Sequence, residues 1–208
     1  MGTVKRRRRL ILTISLIYLV SFALGYINSY VLNTASPDAG TGQDFLNEFL
    51  DTVLTQPPFT TVTEALRGGD LALAILITFT VNLTSGAFLT TTLVGVVPLL
   101  GIVAPAVTSF LRGFLIGLAY YLVLNASSGA AVVGIGTAIL ELGAYVFSAV
   151  AGTNIALSIF FPGRHNTTSR MVAFKEAWKE AGRFFVIVVI LLALGAVWEM
   201  TGLFLLIH

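Results

Sequence analysis

The sequence has no cysteine, two histidines and few charges. Without cysteine there is no disulfide, no thiolate zinc or iron–sulfur site and no cysteine nucleophile. His165 stands beside a basic segment and His208 at the last position, so no histidine metal centre is expected and no cofactor is assigned. Charged residues make up 11% of the 208, against 56% hydrophobic, where a soluble domain carries about 25% charged residues. That deficit points to an integral membrane protein. Also missing are a Ser/His/Asp set, carboxylates paired at helical spacing in an apolar run, and a phosphate loop. Gly134-Ile-Gly136 lacks the third glycine and the flanking strand of a dinucleotide motif. The expectation is therefore a protein that is not an enzyme.

What the sequence does have is apolar length. A helix rises about 1.5 Å per residue and the hydrocarbon core is about 30 Å thick, so roughly 20 apolar residues cross it. Spans are expected at about 10–32, 71–97, 106–124, 130–161 and 184–207. The fold class is all-α: a polytopic membrane protein of about five transmembrane helices with short amphipathic interfacial helices, forming one integral membrane domain over 1–208. Lys5 and Arg6 to Arg9 precede the first run, which is longer than a signal peptide core and ends in Tyr26, Asn28, Tyr30 and Asn33 rather than a small-residue cleavage site. It reads as an uncleaved span. Five spans place both basic segments, the arm and 162–183, on the cytoplasmic side and the C-terminus outside, as the positive-inside rule requires. The expected location is the cell membrane.

The connections carry the remaining signals. Loop 34–70 holds six acids against Arg67 and faces outward, and Phe45, Leu46, Phe49, Leu50 and Val53 recur in it at helical spacing before Gln56-Pro57-Pro58. The second span is rich in hydroxyls, with Thr78, Thr80, Thr84, Ser85 and Thr90 to Thr92, which suits either close helix packing or a polar pathway. Pro98 and Pro105 bracket an expected turn before the third span. In the loop 162–183, Ser169 is a candidate N-cap, and Met171, Phe174, Trp178 and Ala181 line one face opposite lysines and glutamates. This reads as an interfacial helix against anionic membrane lipid, and nucleic acid is not expected as a partner.

Among the ionisable and amide side chains that interrupt the apolar runs, three stand near one expected depth. Glu141 lies about 16 Å into the fourth run, where an unpaired charge costs at least about 2.5 kcal/mol. Asn82 in the second span and Arg112 in the third fall near the same depth. Opposite charges inside a bundle pair, so Asn82, Arg112 and Glu141 are expected to form one intramembrane polar cluster. It suits a structural pair or a proton site, and the lack of other convergent groups favours structure. Gly113 and Gly117 form a small-residue face that serves internal packing or dimerisation equally well.

The chain resembles the stage II sporulation protein M family of five-span membrane proteins. The resemblance rests on Phe79-Thr-Val-Asn82 followed by Gly86, on Arg112-Gly113-Phe-Leu-Ile-Gly117, and on Glu141 leading to Ala151-Gly152, within about residues 71 to 161. Arg112 replaces the family's Asn before Gly113, and Thr137-Ala138 stand where its His-Gly falls, so a role that needs the histidine does not carry over. The resemblance implies a membrane scaffold: the spore-forming members organise peptidoglycan-remodelling partners during engulfment. The expected function is a non-enzymatic scaffold, as a homo-oligomer or with an unidentified membrane or extracytoplasmic protein. The alternative is a transporter or channel whose path runs through the polar cluster.

Overall fold

A computed structural model describes residues 2–35, 48, 52 and 55–208. The amphipathic stretch at Phe45, Leu46, Phe49, Leu50 and Val53 lies outside the described residues. Among those described, every regular element is helical. A five-residue arm, α1 (Gly2–Arg6), leads into α2 (Arg8–Ala35); α3 (Phe59–Arg67) and α4 (Leu71–Val81) follow; then come α5 (Leu100–Ala126), α6 (Ser128–Phe160) and α7 (Arg170–Ile207). Five helical stretches are long and apolar enough to cross a membrane. The chain is a multi-pass membrane protein, and helices are the form in which a chain satisfies its own backbone polar groups in lipid. The end of the bundle carrying Lys5 to Arg9 is called the basic end below.

Helix α6 is the central element. From Ala144 to Ala156 nearly every residue is buried, among them Ala144, Ala149, Val150, Ala151, Ile155 and Ala156. Lipid is as apolar as leucine, so it is close approach rather than hydrophobicity that holds such helices together, and small side chains permit it. Helix α7, whose main packing partner is α6, buries a matching stripe: Ala173, Ala177, Ala181, Phe184, Val188, Leu192 and Ala196 follow at three- or four-residue spacing. On the other flank α2 packs on α5. A Cβ on Gly117 would strike the Phe22 carbonyl, and one on Gly113 the Ser21 hydroxyl. The small-residue face of α5 is thus spent inside the chain, on α2.

The second span changes its winding. Helix α4 continues as a π-helix over Asn82–Thr92 and a 3-10 turn over Leu93–Val96. Hydroxyls serve carbonyls along the way: Thr84 donates to Thr80 at 2.7 Å, and Thr90 to Ser85 and Gly86, both at 2.9 Å. Such side-chain donors let irregular winding persist at membrane depth. The widened segment meets α6 backbone to backbone, because a Cβ on Gly152 would collide with the Thr91 carbonyl and one on Gly95 with the Gly152 carbonyl.

The structure fixes the form of four stretches. The third span begins at Leu100, so Pro105 lies inside α5 rather than ending a turn. The Thr108 hydroxyl bonds the Ala104 carbonyl at 2.8 Å, and a proline this near a helix start disturbs few bonds. The glycine-interrupted run 130–161 is one continuous helix, with Gly136 spent on the Trp198 indole, which fills the space a Cβ would take. Loop 34–70 contains α3, whose Ala65 and Leu66 are buried against Ala74 and Met200. Finally, 162–183 is not a separate interfacial helix. After a short turn at Pro162–His165, α7 runs unbroken from Arg170, and the face it buries holds Ala173, Ala177, Glu180 and Ala181, while Met171 is 64% exposed. The packing partner is α6, which selects small residues, and not a membrane surface, which would select the bulkiest.

Candidate functional site: two polar clusters within the bundle

The first cluster lies in mid-bundle. The π-helix opens at Asn82, and its side-chain amide donates to Glu141 Oε1 on α6 at 2.5 Å. The Glu141 side chain packs on Gly195 of α7, where a Cβ would sit 3.7 Å from its Cγ. Glu199, one turn beyond Gly195, is close enough for the two carboxylates to act on each other. Tyr120 lies near both and donates to the Gly134 carbonyl. Thr137, one turn from Glu141 on α6, buries its hydroxyl without a hydrogen-bond partner.

Arg112 does not join this pair. Its Nη1 donates to the Gly86 carbonyl at 3.0 Å and its Nη2 to the Thr90 hydroxyl at 3.3 Å. The guanidinium lies 4.1 Å from the centroid of the Tyr145 ring, a cation–π contact worth about 2 kcal/mol where water is excluded. The Tyr18 hydroxyl and Ser109 complete its surroundings. Gly86 and Tyr145 each stand four residues beyond Asn82 and Glu141, toward the basic end. Depth counted from sequence brought the three residues to one level, but a single helical turn of about 5.4 Å is enough to hand Arg112 different partners. Among the described residues Arg112 forms no ion pair.

The second cluster, at the basic end, is one that the sequence reading missed. Arg7, 4% exposed, and Glu180, 3% exposed, are the ion pair: Arg7 Nε donates to Glu180 Oε2 at 2.9 Å. Arg6 Nη1 donates to Oε1 at 3.0 Å, and Asn154 Nδ2 of α6 to Oε2 at 3.1 Å. Arg7 Nη2 lies 3.1 Å from His165 Nε2 and 3.3 Å from Nδ1. Burial, followed by the charge of Arg7, holds the His165 imidazole below its ordinary pKa, so it stays neutral and accepts from Arg7. Arg183 closes the same end by donating to the Thr3 hydroxyl at 3.2 Å. A signal was present in the sequence: Glu180 stands three residues after Ala177 and four before Phe184, on the stripe that α7 buries.

Between the clusters the bundle is closed. Thr91 and Ser148 share a hydrogen bond at 2.6 Å, Thr92 donates to the Ser148 carbonyl at 3.0 Å, and all three are fully buried beside the Thr91, Gly95 and Gly152 backbone contact. No group of three or more metal-ligating side chains is present among the described residues.

The residues that carry the family resemblance occupy these contacts. Asn82 and Glu141 bond each other, Gly113 and Gly117 seat α2, and Gly152 meets Thr91. No curated protein and no solved structure matches the chain. The family model of stage II sporulation protein M matches residues 14–201, nearly the whole described bundle, and by that match together with the five-span fold the chain belongs to the stage II sporulation protein M family.

Proposed function

We propose that the protein is a non-enzymatic membrane scaffold, with its N-terminus in the cytoplasm and its C-terminus outside. The observation that carries this reading is the seal between the clusters. A transport path through Asn82 and Glu141 needs water to reach them from the basic end by way of Thr90 to Thr92 or Thr153-Asn154. At Thr91 and Thr92 that route is occupied by hydrogen-bonded hydroxyls and by helix backbones touching through Gly95 and Gly152, and Thr153 and Asn154 are themselves buried. Asn82 and Glu141 then act as a pin between the second and fourth spans, and the Arg112 contacts as another. A bundle pinned by buried polar contacts between its helices suits a platform. Because Gly86, Gly113 and Gly117 are engaged within the chain, a second copy or another protein binds elsewhere, and among the described residues the basic end is one such surface.

The test is gentle extraction from native membranes, with mass spectrometry of what stays bound. The expected result is a second protein at constant stoichiometry, or a defined homo-oligomer, with Glu141→Gln leaving the association intact. A chain that purifies alone and, in proteoliposomes, conducts protons or solute in a Glu141-dependent manner overturns the scaffold and makes this a transporter.

A further inference from the structure

Glu180 does not account for all the charge at the basic end. A cavity of about 430 Å³ opens there, lined by Lys5, Arg6, Arg7, Arg8, Arg9, Leu10 and Arg164. Six cationic residues thus line one space. The carboxylate within reach, Glu180, is already held by Arg6, Arg7 and Asn154. Lys5, Arg8, Arg9 and Arg164 have no acidic partner among the described residues. The crowding is felt locally: burial first and the Arg7 charge second hold the Arg164 guanidinium below its ordinary pKa. Cations of like sign gathered in a partly enclosed space call for an anion, and phosphate with its several acceptor oxygens matches the arginine fork.

What lies beside the cavity narrows the source of that phosphate. Leu10 forms an apolar part of its wall. Along α2, Leu12, Leu16 and Leu19 follow Arg8 at four-, four- and three-residue spacing, so they share its face, and all are exposed. A soluble phosphate has no use for such a strip, whereas an acyl chain does. We propose that the basic end holds one anionic phospholipid, its phosphate between Arg8, Arg9 and Arg164 and its acyl chains along Leu12, Leu16 and Leu19, with a headgroup bearing two phosphates preferred over one. The site differs from general attraction to an anionic surface, because it needs the α1–α2 arm and the Pro162–His165 turn together. It does not depend on whether the protein is a scaffold or a transporter.

Native mass spectrometry of the full chain, released from vesicles of phosphatidylcholine containing cardiolipin or phosphatidylglycerol at equal charge, tests this directly. The expected result is one retained lipid per chain, cardiolipin ahead of phosphatidylglycerol. A juxtamembrane cation contributes about 1 kcal/mol toward an anionic lipid, which converts to about fivefold per arginine. Arg8→Gln with Arg9→Gln should therefore weaken retention roughly 25-fold, and Arg164→Gln about fivefold. None of the three touches Glu180, and unchanged helical circular dichroism confirms the fold. Lys175→Gln with Lys179→Gln, on the exposed side of α7, is the control. Equal losses in the control, or no preference for anionic lipid, would reduce the site to a diffuse basic surface and overturn the proposal. So would full displacement of the lipid by millimolar inorganic phosphate or pyrophosphate, which would assign the cavity to a soluble anion.

Discussion

Glu141 and Glu180 are both carboxylates removed from water inside the same bundle, yet they are held in opposite ways. Glu180 sits between two guanidiniums and an amide, so its charge is answered in full. Glu141 has a neutral amide, a second carboxylate nearby and an arginine one turn away that is occupied elsewhere. Burial alone does not decide whether a charge is a fastening or a site; the partners do. The basic-end cluster is a clasp of ions between the first and last helices, and the mid-bundle cluster is a hydrogen bond between the second span and the fourth.

The comparison breaks most visibly at Glu180. Glu180→Ala leaves Arg7 buried without its counter-ion, a loss of about 3–5 kcal/mol, and the expected result is a large fall in the thermal midpoint in detergent. Combining Glu180→Leu with Arg7→Met should recover most of it, since a buried pair replaced by apolar side chains is often neutral. Next is the seal. Gly152→Leu drives a side chain into the Thr91 carbonyl, and overpacking of this kind costs about 1–3 kcal/mol; the same unfolding measurement should place it between the Glu180 and Asn82 variants. Asn82→Leu removes one interhelical hydrogen bond, worth about 0.6–2 kcal/mol. Glu141→Gln, which keeps an acceptor for Asn82, should cost less still.

The smallest effect is set by pH. His165 is neutral in the fold and its pKa is lowered there by burial and by Arg7. Below its ordinary value of about 6.5 the unfolded chain takes up a proton that the folded chain resists. Stability is therefore full above that pH and falls as acid charges the imidazole against Arg7. His165→Gln, which retains an acceptor, should flatten the dependence of the thermal midpoint between neutral and mildly acidic pH while changing little at neutral pH.

How far sequence reached follows the same contrast. The spans were readable because lipid imposes length and apolarity on any helix that crosses it. Glu141 was readable because it is the lone acid in an apolar run. Glu180 was not, because it stands among Lys175, Glu176 and Lys179, where an acid looks like part of a wet face; only its register with Ala177 and Phe184 places it inside. The structure joins Asn82 to Glu141, but depth is blind to rotation and to one turn of axial offset, which is where Arg112 parts from them. The π-helix has no pattern of its own in sequence. Its hydroxyls read as packing or as a path, and its close contact is with Gly152, more than fifty residues further along the chain.

The clasp also sets an order in time. Arg7 and Glu180 are 173 residues apart, and at about 5–20 residues per second Arg7 leaves the ribosome on the order of ten to thirty seconds before its counter-ion exists. Throughout that interval the first span is in place but not fastened, and three more spans must be made before the last one arrives with the carboxylate. The ion pair thus forms late: a chain that stops short of Glu180 keeps Arg7 without its counter-ion, and the clasp closes only once α7 has been made.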